Sequence, residues 1–279
     1  MSSAAQTILI TGCSSGIGAA LAREFAGRGH RVIATARRIE SLCALAALPN
    51  VVALPLDVDS SESIGALLHT LNARSLMPDM LINNAGFGCF GPMLDVPLEA
   101  LRAQFETNVF APVQLSAALL PLLRQSPRAC IAHVGSISGL VTTPFAGAYC
   151  ASKAAIHAVA DAMRLELAPL GVRVVTIQPG AIASEFGNTG EQHIHLAADS
   201  PFAPIAGAVK KRARASQSGA TPAAEFTRIV ADHLLDANAG PICRAGALST
   251  KLPLLKRLLP MRRLDAKLRS LFGLDQLAH

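Results

Sequence analysis

One junction constrains this chain more than any other. Thr7-Ile8-Leu9-Ile10, a short and partly β-branched apolar run, passes at once into Thr11-Gly12-Cys13-Ser14-Ser15-Gly16-Ile17-Gly18, after which Ile17, Leu21 and Phe25 take up helical spacing. A strand, a glycine turn and a helix in that order form the setting in which backbone N–H groups and the positive end of a helix cradle a pyrophosphate. Gly12 permits the tight turn, Gly16 lets backbone approach phosphate, and Gly18 lets helix pack on sheet; Ser14, Ser15 and Ile17 complete the same candidate binding turn.

Beyond this junction the chain keeps alternating strand and helix. Residues 32–35 read as a second strand, and the residues just past its end bear on the nucleotide. A fold of this kind that selects NAD places an Asp or Glu here for the ribose hydroxyls. This chain has Ala36-Arg37-Arg38, with no carboxylate to repel a 2′-phosphate and guanidinium groups able to pair with one, so NADP(H) is expected ahead of NAD(H). Residues 51–54 form a third strand, closed by Asp57-Val58, where the Asp could meet an adenine. Residues 80–82 form a fourth and run into Asn83-Asn84-Ala85-Gly86, which fits a plain structural turn as well as direct cofactor contact. A fifth strand, 129–134, ends in Gly135-Ser136-Ile137-Ser138-Gly139. A sixth, 172–177, ends in Gln178-Pro179-Gly180. Such alternation implies a parallel sheet covered on both faces, with ligands at the carboxyl ends of its strands.

Tyr149-Cys150-Ala151-Ser152-Lys153 opens a long apolar helical pattern through Val159, Met163 and Leu167, so Tyr149 and Lys153 share one helix face. A free phenol titrates near pH 10 and is a poor acid or base at neutrality. A nearby ammonium and a place at a helix N-terminus both favour the phenolate, and the pair is expected to act as an acid/base tuned toward working pH. Ser136 lies at the same sheet edge, with Ser138 as its competitor. Residues 98–123 read as one long helix carrying Asn108 near its middle, where spacing alone makes it a buried capping or kink residue.

The whole chain, 279 residues and 51% hydrophobic, can bury one large core, and no linker or repeat divides it; 1–279 is taken as a single domain. Residues 1–6 carry no basic leader, and no uncharged apolar run reaches the roughly 18 residues of a spanning helix, so a soluble, cytoplasmic protein is expected. Six scattered cysteines without a C-x-x-C pair read as buried free thiols. Residues 185–222 read as a substrate lid with short helices of its own. Within it, Glu191, His193 and His195 lack a second cluster to hold a metal, and Lys210-Lys211-Arg212-Ala213-Arg214 reads as a solvated helix face.

The net charge of +6 resides entirely between Lys251 and Arg269, inside a basic extension spanning 244–279. Leucines 254, 258, 264, 268 and 271, with Pro253 and Pro260 at first-turn positions, predict two short amphipathic helices. They either cap the cleft or a subunit contact, the favoured reading, or hold the protein peripherally at an anionic membrane. No nucleic-acid motif is present.

Taken together, Thr11-Gly12-x-x-x-Gly16-Ile17-Gly18, Asn83-Asn84-Ala85-Gly86, Asn108, Ser136, Tyr149-x-x-x-Lys153 and Pro179-Gly180 resemble the short-chain dehydrogenase/reductase family over roughly residues 6–240. The resemblance implies a Rossmann-type sheet of about seven parallel strands, the last around Pro241-Ile242. It implies Tyr149 as general acid/base, Lys153 lowering its pKa and binding the nicotinamide ribose, Ser136 on the substrate oxygen, and Asn108 holding a water that links Lys153 to solvent. It places Ile182 beside the cofactor and Ser184 where the family has a carboxamide-binding Thr, a change that keeps the hydroxyl. The turn, Gly135-Ser136 and the Tyr149 motif are most similar to the branch containing 17β-hydroxysteroid dehydrogenase type 1 and related retinol dehydrogenases. That points to an apolar steroid-, retinoid- or lipid-like substrate and to a homodimer or homotetramer. A 3-oxoacyl or general carbonyl reductase is the enzymatic alternative. A non-catalytic NADP(H) sensor would not need the four-residue set.

Overall fold

The computed structural model describes residues 5–277, the side chains at 187, 188 and 216 excepted. Strands β1 (Thr7–Ile10), β2 (Arg31–Ala36) and β3 (Val51–Pro55) alternate with helices α1 (Gly16–Gly27), α2 (Cys43–Ala46) and α3 (Ser61–Ala73). Then come β4 (Met80–Asn83), α4 (Leu98–Phe105), α5 (Ala111–Leu123), β5 (Cys130–Val134), α6 (Gly147–Leu167) and β6 (Arg173–Pro179). The lid carries α7 (Phe186–Glu191) and α8 (Ala206–Ala213). The chain ends with α9 (Ala223–Leu235), β7 (Ile242–Ala245), α10 (Lys251–Leu258) and α11 (Met261–Leu271).

All seven strands are parallel, in the order β3-β2-β1-β4-β5-β6-β7, so the expected Rossmann-type architecture is the one observed. The strands are apolar runs because both faces are covered. Ile8 and Ile10 join Val32, Phe25 and Phe226 in one core layer, between the sheet and α1 with α9. Leu9 points the other way and joins Ile33, Leu81, Leu115 and Leu119 in the layer under α3 and α5. That alternation within one strand is the period of two that pins its register, Ile8 lying opposite both Val32 and Met80. Chain connectivity reverses between β1 and β4, and the carboxyl edge there is where open sheets of this kind bind ligands.

The predicted single helix at 98–123 is broken. Residues Glu106–Phe110 form a π-helical turn between α4 and α5. Pro112 has no N–H to give the carbonyl four residues back, that of Asn108, so regular α bonding cannot run through this point. The kink is therefore built around the Asn that the spacing marks. The seventh strand begins at Ile242 and runs to Ala245, two residues beyond the expected centre. All six cysteines are free and five are buried, but Cys43, at the start of α2, is exposed.

The extension forms the two predicted helices, yet neither contains a buried residue. Leu258, Met261 and Leu271 are 70%, 77% and 64% exposed, so these side chains do not cap the cleft. Apolar packing on the body comes from the segment beyond them, Phe272, Leu274 and Leu277 against Phe145, Ile205 and Val209, while α10 reaches the body through Lys256, which donates to Leu140 O (2.6 Å). No described helix is long and apolar enough to cross a membrane.

Candidate active site

The turn between β1 and α1 has the geometry its glycines require. Gly12 and Gly16 have φ of +70° and +58°, and a Cβ on Gly18 would fall 2.3 Å from the Gly12 carbonyl oxygen. Asn84 has a structural role in this turn. Its amide donates to Thr11 O (2.8 Å) and Gly12 O (3.1 Å), while the Asn84 and Ala85 N–H groups donate to Thr11 Oγ1, 2.9 Å each. The end of β4 thus fastens the glycine turn. No side chain caps α1 at Ser15 and its first turn holds no acid, leaving a positive helix end open to an anion. Ser14 and Ser15 are exposed beside it, and the Ser184 side chain faces Gly16, its Cβ 3.6 Å from where a Gly16 Cβ would stand.

Arg37 and Arg38 stand exposed just past β2, in no ion pair among the described residues. Asp57 and Val58 turn the chain after β3, the Asp57 carboxylate accepting from the Asp59 N–H (3.2 Å). Pro179 ends β6, and Gly180 and Ile182 lie beyond it, Ile182 buried. The predicted cofactor residues thus follow the carboxyl ends of β1, β2, β3, β4 and β6. The exposed donors and cations, with the glycine cradle, fit a phosphorylated dinucleotide.

Tyr149, third residue of α6, and Lys153 lie one turn apart, the ammonium nitrogen 5.9 Å from the phenol ring centre. Ser136 stands just past β5, near enough for its hydroxyl to favour the phenolate. Ser138, the competitor, only donates its N–H to Ser136 Oγ (3.0 Å). Asn108 spends its side chain on the protein. Its amide nitrogen donates to Phe87 O (3.0 Å) and Ser152 Oγ (3.1 Å), and its oxygen accepts from the Phe87 N–H (3.1 Å). Gly86 has no room for a Cβ, which would stand 2.8 Å from Asn108 Oδ1 and 3.7 Å from Lys153 Nζ, so the two residues meet over it. His157, one turn past Lys153 on α6, accepts from the Ser136 N–H at 3.3 Å. Spacing along α6 would have found it, since positions 149, 153 and 157 share a face.

Burial, more than any neighbouring charge, sets the phenol's pKa. Burial pushes Tyr149 up to about 12, more than the Ser136 hydrogen bond and the smaller effect of the Arg212 charge bring it down. Burial likewise brings Lys153 down to about 8, and its ammonium donates to Val134 O (2.7 Å) instead of to the phenol. The cause is a lid of rings. Phe90 and Phe186 sit with centroids 6.0 and 5.3 Å from that of Tyr149.

The basic run on α8 corrects an expectation. Lys210, Lys211 and Arg214 are exposed, Arg214 pairing with Glu191 (2.7 Å), but Arg212 is 8% exposed. Its guanidinium lies 5.5 Å from the Phe90 ring centre, and its Nε donates to Thr143 Oγ1 (2.6 Å). No pattern in the run marks one residue as turned inward. His193 packs on Phe87, ring centres 5.1 Å apart, and no described trio of His, Cys, Asp or Glu is grouped to hold a metal.

Comparison with known proteins agrees with this geometry. The family profile described as short chain dehydrogenase matches residues 6–194. A short-chain dehydrogenase/reductase of Pestalotiopsis microspora is 34% identical over 99% of this chain and 97% of its own length. The short-chain-type protein VdlC of Helicobacter pylori is 37% identical over 65% of this chain, and the chain spans 66% of it. Among solved structures, a short-chain dehydrogenase from Streptomyces avermitilis superposes with a TM-score of 0.81 at 28% identity, all of both chains covered. One from Burkholderia cenocepacia, in complex with NADP, gives 0.73 at 26% identity over 95% of this chain and 97% of that one. The protein belongs to the short-chain dehydrogenase family, a class of oxidoreductases.

Proposed function

We propose that this protein is an NADP(H)-dependent oxidoreductase interconverting an alcohol with a ketone or aldehyde on a substrate of largely apolar surface. The observation that carries the reading is the convergence of Tyr149, Lys153 and Ser136 at the carboxyl edge of the sheet, beside the glycine turn. The bound nicotinamide supplies or accepts the hydride. Tyr149 gives the substrate oxygen its proton in reduction and takes it in oxidation, and Ser136 holds that oxygen as charge develops on it. Lys153 binds the nicotinamide ribose and, once its ammonium turns from Val134 O, favours the phenolate. Asn108 fixes the backbone beside Lys153 for a water-borne proton path. Arg37 and Arg38 hold the 2′-phosphate, and the NADP complex of the Burkholderia cenocepacia relative supports that choice.

Phe90, between β4 and α4, and Phe186 of the lid supply the apolar wall, in keeping with the steroid- and retinol-acting branch. Residues 185–222 act as the lid of a single catalytic domain in the cytoplasm. Exposed Phe110, Val113 and Leu165 on α5 and α6 and just before α5 fit a homodimer or homotetramer. Tyr149→Phe tests the core of this reading: turnover should fall by about 10²–10⁴-fold with NADPH affinity nearly intact, and full activity in that variant sinks it. A panel of ketosteroids, retinal and 3-oxoacyl thioesters, read by NADPH oxidation, separates the substrate classes.

The exposed Leu258, Met261 and Leu271 among seven basic residues favour a second role for the extension, peripheral contact with an anionic bilayer. Flotation with phosphatidylglycerol vesicles should carry the full chain and leave behind a chain ending at Thr250; equal flotation of the two removes this role.

A further inference from the structure

A guanidinium carries five N–H donors, stays charged in proteins, and loses its hydration when buried. Arg212 is nine-tenths buried beside the candidate catalytic tyrosine, yet among the described residues no carboxylate lies within ion-pair distance of it. Its partners are neutral: the Thr143 hydroxyl through Nε and the face of Phe90. These satisfy part of the fork and none of the charge. Burial accordingly disfavours its charged form. A chain that keeps such a group inside, where Leu or Met would pack at lower cost, either uses it as a strut or completes it with something else.

Position decides what could complete it. The Phe90 ring packs against both Arg212 and Tyr149, its centre 5.5 Å from the guanidinium and 6.0 Å from the phenol ring centre. Arg212 sits on α8 of the lid, while Thr143 belongs to the loop beyond Ser136. The cation therefore stands where the lid closes on the loop bearing the substrate-oxygen donor, one aromatic ring from the phenol.

We infer that Arg212 is a specificity residue that receives a carboxylate on the substrate, so the molecule this cleft takes is an apolar carbonyl or alcohol bearing one acidic group several bonds from the reacting carbon. A planar guanidinium matches a carboxylate as a bidentate pair, and such charge-assisted bonds in a dry site far outweigh those to a neutral group. The Phe90, Phe186 and Tyr149 rings take the apolar stem and the proton transfer stays at Tyr149. This inference rests on the cleft being the substrate site.

The test reads binding apart from turnover. Decanoate and decanol, of equal chain length, are titrated into the NADPH-saturated protein, with nicotinamide fluorescence as the signal. Decanoate should bind about tenfold or more tightly than decanol. Arg212→Met should bring the ratio to near one, and Arg212→Lys, a cation without the fork, should leave an intermediate preference. NADPH affinity and the melting temperature of each variant show that it is folded; if the Met variant does not fold, the Lys variant decides by whether the ratio falls. Equal affinity for acid and alcohol in the parent, or an unchanged ratio in folded variants, makes Arg212 a strut and overturns the inference. A protein that prefers decanoate through Arg212 but oxidises NADPH with neither the panel nor apolar keto acids such as 9-oxodecanoate defeats the oxidoreductase reading and leaves the carboxylate-binding role of Arg212 standing.

Discussion

The two halves of this molecule solve different problems with different means. From β1 to β6 most strand residues are buried, β3 at the sheet edge excepted, and side chains that matter chemically are held by backbone: Asn84 by the Thr11 and Gly12 carbonyls, Asn108 by Phe87, Lys153 by Val134. From α7 onward the chain is mostly short helices, and α10 and α11 bury nothing. The first half fixes a reaction geometry that cannot tolerate an ångström of slack. The second presents surface, and its changes should move what the protein meets while its stability stays put. The family profile ends at residue 194, close to where that character changes.

The contrast can be broken at several points. Leu81→Ala in β4, fully buried between the layers, should cost about 2–5 kcal/mol in urea unfolding; a loss under about 1 kcal/mol would mean the sheet is not the rigid half. Acid should find the same half. Burial holds His133 and His157 down at about 4, so each folded ring binds fewer protons than its unfolded counterpart. Their contribution is whole above about pH 6.5 and drains away as pH falls through about 4, on the order of 3 kcal/mol for each ring, and His157→Gln should flatten part of that slope. Arg37→Ala with Arg38→Ala should weaken NADPH about ten- to hundredfold and NADH little, read by fluorescence titration; equal losses would make both arginines bystanders. Smallest is Leu258→Asp, 70% exposed on α10, where unfolding free energy should move by no more than about 0.5 kcal/mol; a larger loss would show that the extension is packed in solution after all.

The same division governs what the chain discloses before it is folded. The glycine turn, the strand ends and the Tyr149-Lys153 pair are legible because each is local: a turn needs its glycines within a few residues, and a helix pair needs four. Spacing marks Asn108 as a kink, but the π turn emerges only when Pro112 is read together with the carbonyl it cannot satisfy. Arg212 looks solvated in the sequence because its neighbours Lys210, Lys211 and Arg214 are, and nothing local says which of four cations turns toward Thr143, a residue far away along the chain. The raised phenol pKa is hidden for a like reason, since Phe90 and Phe186 reach Tyr149 only through tertiary packing.

The enclosed phenol has a practical corollary. The sequence contains a single tyrosine and no tryptophan, so absorption at wavelengths beyond the phenylalanine bands, and intrinsic emission, come almost wholly from position 149. The protein thus ships with its own optical reporter at the proposed proton-transfer group. Spectrophotometric titration of the unlabelled chain would follow one phenolate alone, and any shift of that curve on adding dinucleotide would show directly how the ring's surroundings change when the crevice fills.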